Sequence, residues 1–301
     1  MNLVKLQVLV MIEQLKKVTD VAAALNLKQP TVTFHMKSLE DEIGVKLFES
    51  RLGRVILTDA GKSLYPYARK MSALFNEAIR TMDGYKTSTK TMYRVGAEEP
   101  YSMLILQGIR SLEDIYPQMR VDVTLLPENR LGEMFVDAEI DAVLMEYSKS
   151  VDYKGKFESL FEDEIVVLCD AHHVWGQRGY VPVDELAEEK FVHYLAVSKY
   201  LDFITTKTVE QPFGLSKKVT VTSLESAIHA VRLGMGYTLV SRQSLLSMAQ
   251  EISEMTILPL PGELGVKPYT VGLLYTNNEP SVQMAKQLAF GIRSGVAGYN
   301  Q

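Results

Sequence analysis

The sequence predicts a multidomain chain: an α-helical head that carries a helix-turn-helix and a β-hairpin wing, a long linker helix, and then a larger α/β domain. Three observations carry that reading. Residues 19–27 and 29–39 read as two short helices joined by a tight turn. Apolar residues recur from Leu64 to Tyr85 at alternating spacings of four and three. Beyond residue 92, short apolar runs alternate with amphipathic helical ones.

The stretch Gln29-Pro30-Thr31-Val32-Thr33-Phe34-His35-Met36-Lys37-Ser38-Leu39 organises the head. At 3.6 residues per turn, Val32, Met36, Leu39 and Ile43 fall on one buried stripe. Gln29, Thr31, Thr33, Phe34, His35 and Lys37 are left on the other faces, and Pro30 suits a first helical turn, where its missing N–H has no partner to lose. Amide, hydroxyl and imidazole groups on the first turns of a short helix have the chemistry of a major-groove reader. The same composition suits a surface amphipathic helix of any soluble protein, and this stretch alone does not separate the two. Upstream, Thr19 can cap a second helix, Ala22 to Ala24 permit close helix approach, and Asn26 tolerates the left-handed backbone of a sharp turn.

The ordered string Ala-Ala-x-Leu-x-x-x-Gln-Pro (Ala22 to Pro30) continues as Leu-Glu-x-x-x-Gly-x-x-Leu-Phe (Leu39 to Phe48) and Leu-Thr-x-x-Gly (Leu57 to Gly61). It resembles the DNA-binding half of a LysR-type transcriptional regulator and is much more specific than a generic helix-turn-helix. Length and layout fit as well, so the resemblance covers the whole chain. Phe34 and His35 stand where relatives often carry arginine and glutamine, and Lys16-Lys17 stand where a small polar pair is common.

The 301 residues suit about two domains, and 47% hydrophobic with 23% charged residues belong to an ordinary globular chain. The single cysteine, Cys169, excludes an internal disulfide framework and a cysteine-based zinc site, and is expected to be a small buried apolar group. The apolar run 6–12 is too short to span a bilayer and has the wrong flanks for a secretory signal, so a cytoplasmic protein with no membrane partner is expected. Residues 1–90 carry 14 Lys and Arg against 9 Asp and Glu, whereas 91–301 carry 18 against 28. Positive charge on the first segment suits a polyanion, and the acidic remainder repels one.

Residues 3–16 read as a supporting helix with Leu3, Leu6, Val10 and Met11 inward and Lys5, Glu13 and Gln14 outward. Around Leu52-Gly53, Leu47-Phe48 and Val55-Ile56-Leu57 form a hairpin tipped by Arg51 and Arg54, a wing suited to phosphate or minor-groove contact. Thr58 caps a helix running to about Lys86, whose seam of Leu64, Ala68, Met71, Phe75, Ala78, Met82 and Tyr85 predicts dimerisation. Packing of that seam on the rest of the chain is the alternative. Gly84 and 87–91 read as a hinge. The domain limits are 1–58 for the winged head, 59–90 for linker helix and hinge, and 91–301 for the effector half.

In that half, strands are expected near 93–97, 121–126, 142–146, 165–169, 191–194, 219–222, 237–241 and 270–275. Helices are expected over 102–116, 131–138, 199–209, 223–233 and 281–293. The resemblance implies two lobes of the periplasmic-binding-protein kind, about 92–162 with 268–301, and 163–267, joined by two crossing strands.

No dinucleotide fingerprint, phosphate loop or nucleophile elbow is present, and Gly234-Met235-Gly236 reads as a helix end turning into a strand. His172-His173 beside Asp170 lacks a third ligand at fixed spacing and reads as an exposed loop, so no catalytic residue, metal or cofactor is expected. Ligands of open α/β folds sit at the carboxyl ends of strands. The resemblance places Tyr101, Ser102, Ser198, Thr222 and Ser223 around a small-molecule cleft, with helix capping an equally good account of any one of them. Glu98, Glu99 and Glu128 put negative charge at its mouth. Facing inward they favour a cationic or neutral effector over a carboxylate, since like charges at 4 Å cost on the order of 4 kcal/mol in a surface-like dielectric.

Together these readings lead to a regulator that binds a pseudo-palindromic operator in double-stranded DNA. Gln29, Pro30, Thr31, Thr33, Phe34, His35, Lys37, Arg51 and Arg54 make the contacts. It works as a homodimer or dimer of dimers (a homotetramer) under a small-molecule effector, with RNA polymerase as a candidate partner. The competing reading is a cytoplasmic solute-binding or enzymatic α/β protein whose first 90 residues only oligomerise.

Overall fold

Val8, Leu9 and Ile12 are fully buried on the inner face of α1 (Leu3–Leu15), where side chains one turn apart stack into a single stripe. Burial of each such side chain is worth roughly 1.5–3 kcal/mol. In this computed structural model the described residues are 2–51, 53–83, 92–113, 115–147, 153, 155–207, 215–246, 248–277 and 279–299. The expected hinge, Gly84 and 87–91, and the seam residue Tyr85 lie outside them. The chain divides into two compact units, 1–89 with 136–139, and 90–135 with 140–301.

In the first unit, α1 is followed by α2 (Val18–Ala24) and α3 (Gln29–Ile43). Asn26 takes a left-handed φ of 52° in the turn between them, and Pro30 lies in the first turn of α3. Strands β1 (Phe48–Arg51) and β2 (Arg54–Leu57) pair antiparallel with Arg51 opposite Arg54, and Gly53 supplies the positive φ that the two-residue turn requires. Helix α4 (Asp59–Asp83) starts where Thr58 Oγ1 accepts the Gly61 amide at 3.1 Å. Val21, Val32, Leu39, Leu47 and Leu57 join the α1 stripe in one core.

Four expectations are corrected here. Lys5 does not face solvent: its stem is buried, and its ammonium reaches Ser38 Oγ at 2.8 Å and the Glu42 carboxylate, tying α1 to α3. Thr19 does not cap α2, which begins one residue earlier with no side-chain cap; its hydroxyl donates to Asp20 instead. Ile43 is exposed, because α3 runs past the core at its last turn. Ala68 is fully buried and Leu64 packs beside it in the head's own core, so this part of the proposed seam is already covered.

The second unit runs β3 (Met92–Ala97), α5 (Ser102–Glu113), β4 (Arg120–Leu125), α6 (Glu128–Val136), β5 (Ala142–Glu146) and β6 (Lys156–Asp163). It continues through β7 (Ile165–Asp170), α7 (Val174–Arg178), α8 (Val183–Glu188), β8 (Lys190–Tyr194), α9 (Ser198–Lys207), β9 (Ser216–Val221) and α10 (Leu224–Arg232). It closes with β10 (Tyr237–Ser241), α11 (Arg242–Leu246), β11 (Met255–Pro259), β12 (Tyr269–Tyr275) and α12 (Glu279–Tyr299).

Its strands form two five-stranded sheets, ordered β4-β3-β5-β12-β6 and β11-β7-β10-β8-β9. In the first, β3, β4 and β5 are parallel; in the second, β8, β9 and β10 are. The chain crosses between the sheets at 163–165 and again at 259–269. Strands β6 and β11 were not among the expected strands; each lies at the edge of its sheet, paired on one side only. Gly234 and Gly236, at φ 72° and 128°, turn α10 into β10. A Cβ on Gly236 would lie 1.9 Å from the Lys190 carbonyl oxygen, so only glycine fits the approach.

His173 is not in an open loop: its Nδ1 accepts the Trp175 amide at 3.2 Å as the cap of α7, and its ring lies 4.5 Å from the Trp175 indole. His172 is exposed and meets Asp170 at 3.2 Å. Among the described residues no His, Cys, Asp and Glu group could hold a metal ion, and no helix is long and apolar enough to cross a membrane. Cys169 is buried in the second sheet's core, and burial pushes its thiol up to about 11.

Candidate functional site

On the head, α3 buries Val32 and Leu39 and leaves Gln29, Pro30, Thr33 and Lys37 exposed. Thr31 and His35 are half-covered, and the Phe34 ring is 65% exposed, a large apolar group held out in water on an otherwise polar face. Thr33 Oγ1 donates back to the Gln29 carbonyl at 3.2 Å, which leaves its methyl and lone pairs to the outside. His35 Nδ1 is buried and meets no hydrogen-bond partner among the described residues. Arg51 and Arg54 stand exposed at the hairpin tip, Arg51 paired with Glu49 at 3.0 Å. Glu40 sets the wing's position: its Oε1 accepts the Leu47 and Phe48 amides at 2.9 and 3.1 Å.

Along α4, Tyr67, Met71, Leu74, Phe75, Ile79 and Met82 are exposed, with Leu74 at 67%. Of the expected seam, Met71, Phe75, Ala78 and Met82 lie on this open surface; Leu64 and Ala68 do not. Leu74 and Ile79 were missed because the strict heptad skips them, although a straight helix drifts off a 3.5-residue repeat and widens the stripe.

In the second unit, the carboxyl ends of β3, β4, β8 and β9 converge on a cavity of about 580 Å³. It is lined by Glu98, Glu99, Pro100, Leu125, Leu126, Pro127, Glu128, Asn129, Leu195, Ala196, Ser198, Lys199 and Thr222. Of the candidate cleft residues, Glu128, Ser198 and Thr222 therefore line it. Tyr101, Ser102 and Ser223 do not. The Tyr101 hydroxyl is spent on Asp163 and Tyr269, at 3.0 and 3.2 Å. Ser102 opens α5, and Ser223 caps α10 by accepting the Ser226 amide at 3.2 Å.

Lys199 lines the cavity and was not among the residues singled out from the sequence. Its ammonium lies 2.5 Å from Glu146, 3.6 Å from Glu128 and 3.7 Å from Glu98, so one cation in the first turn of α9 meets carboxylates carried by β5, α6 and the end of β3. The Tyr200 hydroxyl donates to the same Glu146 at 2.5 Å. Burial alone would depress the Lys199 ammonium, but the surrounding carboxylates outweigh it and hold its proton more tightly than usual. Burial raises the Glu98 carboxyl against the pull of Lys199, and raises Glu99 against the Leu224 amide, which Glu99 Oε1 accepts at 3.1 Å. Glu99 Oε2 is buried with no hydrogen-bond partner among the described residues. The signal for Lys199 was its place after Ser198 at a helix start, but nothing local indicates that three distant acids converge there.

Two family models match the chain. Residues 3–62 match the bacterial regulatory helix-turn-helix protein family of lysR type, and residues 88–290 match the LysR substrate binding domain. The chain belongs to the LysR family of transcriptional regulators. It is 27% identical over 231 residues to the RuBisCO operon transcriptional regulator of Allochromatium vinosum, covering 75% of each chain. It is 23% identical over 252 residues to a probable RuBisCO transcriptional regulator of Trieres chinensis, covering 81% of this chain and 82% of that one. In fold it is similar to full-length OxyR of Pseudomonas aeruginosa, with a TM-score of 0.57 at 24% identity over 97% of this chain and 100% of that one.

Proposed function

We propose that this LysR-family regulator binds a pseudo-palindromic operator as a homodimer or dimer of dimers, and that a small molecule in the 580 Å³ cavity alters its action on transcription. The observation that carries the reading is the pairing, in one chain, of the lysR-type helix-turn-helix with a substrate-binding domain whose parallel strands end on that cavity. In this reading 1–58 is the reading head, 59–90 the dimer-forming helix and hinge, and 91–301 the effector half. Gln29, Thr31, Thr33, Phe34 and His35 face base edges, with Phe34 suited to a thymine methyl. Pro30, Lys37, Arg51 and Arg54 serve the backbone or minor groove. The exposed stripe from Met71 to Met82 pairs with that of a second copy. Effector binding favours one geometry of the two sheets, and through the assembly one spacing of the heads on DNA, within reach of RNA polymerase in the cytoplasm.

Footprinting of the full-length protein on genomic fragments from beside its own gene, with and without a metabolite panel, tests this. A protected two-fold site whose extent changes with one metabolite is the expected result. The absence of any double-stranded DNA affinity at low ionic strength overturns it.

A further inference from the structure

We infer that the cavity selects a small cationic compound, an ammonium or guanidinium head on an apolar body, whose head enters the carboxylate cluster in competition with Lys199. This rests on the effector reading above and narrows it to a ligand class. The cavity wall carries three acids, Glu98, Glu99 and Glu128, against one base, Lys199. Glu146, behind the wall, takes the closest contact of that base, at 2.5 Å. A single ammonium therefore spreads over three carboxylates, two of them at 3.6 Å or more, beyond hydrogen-bond length. Glu99 Oε2 is buried in the same wall with no hydrogen-bond donor among the described residues.

These are acceptors arranged around less positive charge than they can hold, and a second donor cation satisfies them where an anion meets net repulsion. The remaining wall is apolar, with Leu125, Leu126 and Leu195 available to an alkyl or aryl body. Lys199 and Tyr200 belong to α9, in the part of the chain that builds the second sheet, and Glu98, Glu128 and Glu146 to the part that builds the first. Lys199 is thus a tethered cation clasping the two, and a ligand that takes over Glu98 and Glu128 weakens the clasp, which couples occupancy to the geometry of the sheets.

Calorimetry of the full-length protein with phenethylamine, agmatine and putrescine, set against 3-phenylpropionate, succinate and phenethyl alcohol, tests the inference. At least one amine is expected to bind. Lys199→Gln, which removes the competitor, should tighten that amine by about tenfold, and Glu128→Gln should weaken it by about tenfold. Circular dichroism verifies the fold of each variant, and if Lys199→Gln does not fold, Glu128→Gln decides alone. Failure of all three amines, or amine binding indifferent to a folded Glu128→Gln, overturns the inference. Binding of the carboxylates instead, weakened by Lys199→Gln, also overturns it, while leaving the cavity as an effector site. Amine binding with no change in the DNA footprint upholds the ligand class and overturns the regulatory role.

Discussion

The Tyr101 hydroxyl donates to Asp163 Oδ2 across 3.0 Å, at the point where the chain first crosses from one sheet to the other. Tyr269, at the second crossing, donates to the same oxygen at 3.2 Å, and Ser241 at 2.5 Å. The Glu164 and Gln243 amides bind Oδ1 at 2.8 and 3.1 Å. One carboxylate therefore pins both crossings to the turn just before α5, through Tyr101, and to the end of β10.

Replacing Asp163 by Asn places an NH2 against donors and is expected to cost about 1–3 kcal/mol, read as a lower urea midpoint at unchanged slope. Burial raises the Asp163 carboxyl above its usual 3.8 despite these donors, so the native state holds that proton more tightly than the unfolded chain. Its contribution is fully present below 3.8 and declines as pH rises through the raised value. Urea titrations across that window should show the gap between wild type and Asp163→Asn narrowing as pH increases; a gap independent of pH would refute this.

Glu40 carries the opposite sign. Burial works against its charge, but Lys46 at 2.9 Å and the Leu47 and Phe48 amides prevail and hold its carboxyl below the usual 4.5. Its stabilising contribution is present above 4.5 and is lost as pH falls through the lowered value. Glu40→Ala leaves two amides without their acceptor and should cost about 2–3 kcal/mol, read by denaturation at pH 7. Glu40→Gln should remove part of the acid sensitivity, visible as a flatter midpoint-against-pH curve.

The α4 stripe separates an open surface, the proposed pairing face, from a core. Phe75→Asp places charge on an open surface and should convert dimers to monomers in sedimentation while helicity is kept. Ala68→Asp, at a fully buried position, should instead unfold the head. A Phe75→Asp protein that stays dimeric shows that the pairing surface is elsewhere.

On α3, Lys37→Ala should weaken binding to all sequences alike and lower the salt slope by about one, as loss of a phosphate contact does. Thr33→Ala should shift preference among operators with the slope unchanged. Competition gel shifts at several salt concentrations distinguish the two.

The chain's local signals were those of periodicity and turn chemistry. Val32 and Leu39 as a buried stripe, Asn26 in its left-handed turn, Gly53 at the wing and Thr58 at its cap depend on residues within a few positions of each other, and are legible for that reason. Strands β5, β7, β8 and β10 were equally legible, because strands buried on both faces read as nearly unbroken apolar runs. Strands β6 and β11 were not: β6 breaks its apolar residues with Lys156, Glu158, Ser159 and Glu162, and β11 is only five residues long and ends in Pro259. Lys5 was misplaced because a lysine's long stem can lie in a core while its head finds Ser38 and Glu42 on another helix.

The family, the division into a helical head and an α/β half, and the presence of carboxylic acids at Glu98, Glu99 and Glu128 are properties of the amino-acid string alone. Which of those acids share a lysine, why Tyr101 serves the crossing strands rather than the cavity, and where the α4 stripe leaves the core were decided only in three dimensions. Each depends on groups separated by tens of residues or more, and a charge or hydroxyl on one segment carries no local mark of the partner that folding brings to it.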